Sequence, residues 1–291
     1  MKCKIYTLIF SFFIISCSSN SDDNNDLPDN NSTNALLVSK ITYNYSEMSD
    51  YSYEEEFTYD GNKISEILKI TYSNGSVLST SKTFFAYEND LISRIDFYDS
   101  NKFLTLVREF KYDSQSRITD INECVDGNCP QECNSPDGNC TTTYHYSSSF
   151  SYNSDGSVSL IETDNNENKE YKRTLKLDNQ GNIVDISSKD GDCEVETSLV
   201  YDNKNSPFKN VIGANFFNYH DSSFSDSPTV GFYNNLLSYK DNSIWNNIPY
   251  KLYYSSFLYD YNQEEYPIKI VHTDTDGSED TASIEYKWHL E

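Results

Sequence analysis

The feature that most constrains this chain is a short stretch that recurs along it, best seen as Phe110-Lys111-Tyr112-Asp113-Ser114-Gln115-Ser116-Arg117-Ile118-Thr119-Asp120-Ile121. Leu104, Leu106, Phe110 and Tyr112 share one side of a period-2 pattern, and Asp-Ser-Gln-Ser supplies a tight turn before Arg117 opens the next strand. The unit is a β-hairpin. Further copies centre on Tyr59-Asp60-Gly61-Asn62, Tyr87-Glu88-Asn89-Asp90, Tyr152-Asn153-Ser154-Asp155-Gly156, Leu177-Asp178-Asn179-Gln180-Gly181, Tyr201-Asp202 and Tyr259-Asp260, with Tyr286 closing the series as half a unit. Steps such as Tyr59 to Tyr87 or Tyr152 to Leu177 lie in the twenties of residues, the period of a stacked or meandering array.

The turns hold residues that tolerate positive φ or bond their own backbone, in agreement with the strand pattern. After each turn the apolar residues fall at n and n+3, as in Ile64 and Ile67, Ile92 and Ile95, Ile118 and Ile121, Ile183 and Ile186. That offset changes face in a flat strand. Either a bulge follows each turn or both faces of the sheet are partly covered.

Tyr112-Asp113 with Arg117-Ile118 resembles the YD repeats of Rhs-type proteins, and the set of hairpins is similar to that of uncharacterised Bacteroidetes lipoproteins carrying a few such units. The resemblance spans residues from about 37 to 291, although most copies lack the Arg or the Gly. It implies an all-β fold: an antiparallel meander of YD-like hairpin repeats, curved or partly closed toward a barrel. The units are too few to enclose a large cargo as the long Rhs shells do.

The N-terminus reads as an export signal. Met1-Lys2-Cys3-Lys4 precedes an apolar run from Ile5 to Ile15 that is too short to cross a bilayer core as a helix. Ile14-Ile15-Ser16-Cys17 resembles a bacterial lipobox, which implies removal of residues 1–16 and acylation of Cys17 as a membrane anchor. Residues 17–34 form an acidic, apolar-poor tether, which as a flexible coil would span ~20–25 Å. Its Ser21-Asp22-Asp23 run resembles the surface-export signal of Bacteroidetes lipoproteins, which implies an outer-membrane lipoprotein at the cell surface, the periplasm-facing leaflet being the alternative. Residues 35–291 are expected to form one repeat domain.

Two segments interrupt the rhythm. Residues 124–140 make a cysteine-rich hairpin tip, and in an exported protein Cys124, Cys129, Cys133 and Cys140 are expected to form two disulfides, with Cys193 left odd. Cys124 with Cys140 at the stem is the natural pairing, though four cysteines allow three connectivities. Their spacing matches no standard zinc site. Residues 205–250 scatter Phe208, Phe216, Phe217, Phe224, Phe232 and Trp245 among Asn and Ser with no clear period. Short helical turns and loops that plug or cap the sheet are expected there.

Chemistry leaves a weaker trace. His145, His220, His272 and His289 lie far apart with no nucleophile motif nearby, so no catalytic residue and no cofactor are assigned. His272 to Asp280 superficially has the look of a calcium loop, but Ser283 stands where a bidentate Glu is required. A hairpin turn explains the segment better, with incidental calcium the only metal expectation. A formal charge of −24 disfavours nucleic acid and favours basic proteins or neutral polymers. With 25 Tyr, 16 Phe and 2 Trp, the chain offers aromatic surface either to cover a half-wet sheet or to stack on sugars and anchor a protein. Tyr43, Tyr45, Tyr250, Tyr253, Tyr254 and Trp245 are the candidate ligand contacts. The reading is a non-enzymatic, surface-exposed envelope lipoprotein binding a glycan or a protein. The alternatives are a structural or assembly component, which an exposed apolar patch would favour, and a glycan-active hydrolase, which needs a cleft with paired carboxylates.

Overall fold

The computed structural model describes residues 34–45, 50–125, 131–132, 141–142, 144–190, 193–214, 233–245 and 248–290. The strands are β1 (Asn34–Asn44), β2 (Tyr51–Asp60), β3 (Lys63–Ser73), β4 (Ser76–Glu88), β5 (Leu91–Tyr98), β6 (Leu104–Tyr112) and β7 (Ile118–Val125). A two-stranded ribbon of β8 (Gln131–Glu132) and β9 (Thr141–Thr142) follows. Then come β10 (Tyr146–Tyr152), β11 (Ser157–Asp164), β12 (Lys169–Leu177), β13 (Ile183–Asp190) and β14 (Cys193–Tyr201). The last are β15 (Leu236–Trp245), β16 (Ile248–Tyr261), β17 (Pro267–Thr273) and β18 (Glu279–Leu290). All but β8 and β9 pair antiparallel with their neighbours, and β1 pairs with β18, closing a barrel of 16 strands. The expected meander is present, and it closes completely. No α-helix occurs among the described residues. Of the segment where short helical turns are expected, Ser206 to Ala214 runs through successive i→i+3 hydrogen bonds (Lys209 N–H to Ser206 O, Val211 N–H to Phe208 O, Ala214 N–H to Val211 O), and residues 215–232 lie outside the described residues. Residues 236–245, read from sequence as irregular, form β15. Its inward positions Tyr239, Asp241 and Ser243 are polar enough to erase the period-2 signal.

Up-and-down topology sends alternate connections to opposite ends. The repeat turns β2–β3, β4–β5, β6–β7, β10–β11, β12–β13, β14–β15 and β16–β17 all lie at one end, here the turn end, together with the start of β1. The other connections form the far rim.

The conserved geometry of the turns accounts for the Asp of the motif. Asp113 Oδ1 accepts the backbone N–H groups of Gln115 and Arg117, and Asp178 Oδ1 those of Gln180 and Asn182. The fourth loop position takes positive φ, held by Gly156 and Gly181 but also by Ser116 (φ 61) and Glu265 (φ 63). One residue beyond each opening strand residue the register slips. Lys111 pairs Asp120 while Tyr112 pairs Ile118, and the same shift recurs at Thr58/Tyr59, Ala86/Tyr87, Lys176/Leu177, Val200/Tyr201 and Asp260/Tyr261. This bulge puts both members of each n, n+3 pair on the inner face, so Ile92, Ile95, Ile118 and Ile121 are all buried. The β10–β11 hairpin has no bulge, and its buried pair Val158 and Leu160 is spaced by two.

The bulge also explains the tyrosine. Tyr112 Oη donates to the carbonyl of Ile92 (2.8 Å), Tyr152 to Ile118 (3.0 Å), Tyr259 to Leu236 (2.7 Å) and Tyr286 to Pro267 (2.7 Å). Each accepting carbonyl sits beside the bulge of the preceding unit, so these four hydroxyls tie one repeat to the last, whereas the buried hydroxyls of Tyr59 and Tyr87 make no such bond among the described residues. Burial pushes the phenols of Tyr112, Tyr259 and Tyr286 well up.

The core lies at the turn end and is completed by an insertion inside one turn. Asp202 N–H donates to Asn235 O (3.0 Å) and Asn235 N–H to Asp202 Oδ1 (2.9 Å), reproducing the Asp178/Asn182 closure although residues 203–234 intervene. Part of that insertion plugs the barrel, as the sequence leads one to expect. Phe208, Val211 and Ala214 are buried, Phe208 packs on Phe57 with ring centroids 5.6 Å apart, and Ile212 N–H bonds Asn62 O at 3.0 Å. Asn210 Nδ2 donates to Leu36 O (3.0 Å) and Tyr266 Oη (2.8 Å). At Gly213 (φ 78) the chain passes so close that a Cβ would lie 3.1 Å from Ile92 Cγ1.

Candidate functional site

The two faces of the wall differ in chemistry. Outward side chains form cross-strand ion pairs: Lys40 with Glu54 (2.8 Å), Lys82 with Glu66 (2.5 Å), Arg94 with Glu109 (3.4 Å) and Lys176 with Asp185 (3.5 Å), Arg94 also pairing with Asp96 on its own strand (2.8 Å). A barrel that meets lipid carries an apolar outer band about 25 Å tall. Here most large apolar side chains point inward, and outside the ion pairs are interspersed with single exposed apolar residues such as Val200, Leu252 and Leu258, a pattern that fits a wall in contact with water.

Inside, the lumen is apolar at the plugged end and becomes charged toward the far rim. Arg108 pairs with Glu123 (2.6 Å), Arg173 pairs with Glu162 (3.1 Å), and Lys69 lies opposite Glu55 and 3.8 Å over the Tyr53 ring. Burial raises the Glu55 carboxyl above the usual carboxylate range, with Lys69 only partly opposing it. Burial also raises Glu162. Because the folded Glu55 prefers its proton, its destabilising effect is absent below the usual carboxylate range and grows as pH rises through it. Glu55→Gln is therefore expected to raise the melting midpoint at about pH 8 and leave it nearly unchanged at about pH 4. A Gln variant that melts lower at the higher pH would refute this. Asp113 and Asp155 act in the opposite sense. Their carboxyls are held low by Arg117 and by Ser157, so their stabilisation is lost as pH falls through their lowered pKa values.

The sequence candidates do not share one exposed face. Tyr43 points inward, buried and stacked on Tyr53 at 4.2 Å, with Tyr45 beside the same ring at 5.8 Å. Tyr253 also points inward and donates to Asp274, which accepts from Ser255 as well. Tyr254 points outward and is exposed. Tyr250 lies in β16 and Trp245 ends β15, but their side chains are outside the description. Cys17, Cys129, Cys133 and Cys140 lie outside the described residues. Cys124 is disulfide-bonded and buried on the outer side of β7, whereas Cys193 is free. His272 is buried and stacks on Phe257 (4.6 Å), and His145 Nδ1 accepts the Val125 N–H (3.1 Å). Asp274 to Ser278 is the β17–β18 hairpin turn, with Gly277 at φ 86.

Two features escape a sequence reading. The first is the far rim, where Tyr51, Val77, Leu78, Phe103, Tyr171 and Ile248 are exposed near the tips of five different hairpins, Phe103 by 69% and Ile248 by 67%. They are scattered in sequence, and closure of the barrel brings these six to one end, while Val200, Leu258, Ile268 and Trp288 are exposed toward the other. The second is a concavity of about 630 Å³ in the outer wall over β11–β14, lined by residues that include Ser159, Ile161, Lys172, Thr174, Ser187 and Glu196.

No family model matches the chain, and no curated protein does. Among solved structures it is similar to a porin-like protein from Bacteroides uniformis ATCC 8492, at 8% identity and TM-score 0.40, covering 86% of this chain and 98% of that one. It is also similar to a porin-like protein from Bacteroides vulgatus ATCC 8482, at 13% identity and TM-score 0.48, covering 86% and 99% respectively. These similarities are too low to carry a function across.

Proposed function

We propose that this protein is a non-enzymatic component of the cell envelope, anchored to the outer membrane through acylated Cys17, whose barrel stands in water and holds a protein partner at its far rim. The observation that carries this reading is the set of exposed apolar side chains at five rim tips, Phe103 and Ile248 foremost, which together can form the apolar centre of a contact even though Val200, Leu258, Ile268 and Trp288 are exposed toward the turn end as well. Chain geometry supports it. β1 starts at the turn end, so the tether leaves from the plugged end and the rim points away from the anchor. Aromatic and aliphatic tips supply the apolar contacts an interface core needs. Asp50, Asp99, Glu167 and Asp276 flank those tips and make no ion pair among the described residues. With a formal charge of −24, the rim favours a partner with a basic face and speeds its encounter.

The hydrolase alternative finds less support. The inward carboxylates Glu123 and Glu162 are each engaged by an arginine. The test is site-specific photo-crosslinking in the native envelope, with a photoreactive residue placed at Phe103 or Tyr171 on the rim, or at Ser154 on the turn end as a control. A discrete protein adduct from the rim positions alone is expected. Lipid adducts at the rim, or equal adducts from both ends, would overturn the reading.

A further inference from the structure

We infer that the outer-wall groove over β11–β14 is a binding site for a neutral oligosaccharide. This goes beyond the rim reading and rests on different residues. Outward side chains normally fan apart on the convex wall of a closed barrel. Here two rows of outward side chains, Ser159/Thr174/Ser187/Glu196 and Ile161/Lys172/Lys189/Glu194, flank a trough of about 630 Å³ across four neighbouring strands, floored by the backbone of Leu160, Arg173, Ser188 and Val195. That volume falls in the range of small-molecule sites and suits a few sugar residues.

The groove is built from pairings in register. Ser159 pairs Thr174, Thr174 pairs Ser187, and Ser187 pairs Glu196, which lays three hydroxyls and a carboxylate in one row across the strands. Adjacent strands lie about 4.8 Å apart, close to the length of one sugar residue in an extended chain, so successive strands can each meet a successive residue. The Thr174 and Ser187 hydroxyls make no hydrogen bond among the described residues, and Glu196 has no ion-pair partner among them. They are free to bond sugar hydroxyls, the carboxylate most strongly. Ile161 offers an exposed apolar surface to the C–H face of a ring.

Charge selects the class of ligand. All three lining cations are paired with carboxylates, Lys189 with Glu194, Lys172 with Glu170 (3.5 Å) and Arg173 with Glu162 (3.1 Å), so they leave no unpaired positive charge in the groove to attract a polyanion. The chain as a whole, at −24, repels one. A neutral polymer meets neither penalty.

The test uses the chain from Asn34 to Glu291, which carries every barrel strand, in native gels cast with a mannan, a β-glucan, a starch-type glucan or, as acidic control, polygalacturonate. Retardation by at least one neutral polymer and none by the acidic one is expected. Ser187→Arg, which fills the groove, and Glu196→Ala, which only removes a side chain from an exposed strand position, should each weaken that retardation about tenfold or more while the melting midpoint stays put. Phe103→Ser on the rim should leave it unchanged. The inference fails if no neutral polymer retards the protein, if the acidic polymer retards it equally, or if both groove variants behave as wild type. Loss of binding in Phe103→Ser alone would also overturn it, by moving the sugar site to the rim. The rim crosslinks are read separately and do not depend on either groove variant.

Discussion

Phe208→Ala should lower stability by about 3–5 kcal/mol, the range for removing a buried aromatic side chain where the surroundings cannot collapse onto the space. Phe208 is buried in the plug against Phe57, and the backbone on either side is pinned, at Asn205 to Glu265 O and at Ile212 to Asn62 O. The gap therefore stays open. For a domain of this size the loss corresponds to a fall in the melting midpoint of roughly 10 °C. Leu258→Ala serves as the comparison, because Leu258 is exposed on the outer wall and its truncation should change stability by less than about 0.5 kcal/mol. Equal midpoints for the two variants would show that the plug does not complete the core.

The second large effect concerns the membrane. The chain from Asn34 should remain in the aqueous phase on detergent phase separation and should produce no channel steps in a planar bilayer. A Lys or Arg on the lipid face of a barrel costs about 2–4 kcal/mol near the midplane. The outer wall carries Lys82, Arg94, Lys172, Lys176 and Lys240 at different heights besides many carboxylates, so insertion would cost on the order of 5–10 kcal/mol. Phe208, Val211 and Ala214 are buried in the core at the turn end of the lumen, which narrows any path through it. Recovery in the detergent phase, or discrete conductance, would contradict the assignment of the charged face to water. Both outcomes are read on a protein without the Cys17 anchor, so neither depends on acylation.

Local chemistry made much of the fold legible. An Asp before a small loop bonds the N–H groups two and four residues on, which marks each hairpin at the level of five consecutive residues. The n, n+3 spacing of Ile92 and Ile95 is a direct record of the bulge, and Tyr112 follows from the carbonyl that the bulge leaves beside it. The strand at Leu236–Trp245 was harder to see. Its inward side chains beyond Leu236 are Tyr239, Asp241 and Ser243, polar though Tyr239 is buried, and a strand whose two faces differ so little in polarity carries no alternation.

The candidate sites were beyond such reading. Tyr43 and Tyr254 look alike in sequence, yet one is packed in the core and the other faces water, because face depends on register counted from the nearest bulge. Closure depends on β1 meeting β18 from opposite ends of the chain, a pairing that no local pattern encodes. The rim and the groove follow from that closure. Repeat units, turns, bulges and the tyrosine ties were set by residues within one or two hairpins of each other. Which face is wet, which end is plugged and where the outer side chains flank a trough were decided only when all the strands closed on one core, since those properties belong to the packing of the whole ring.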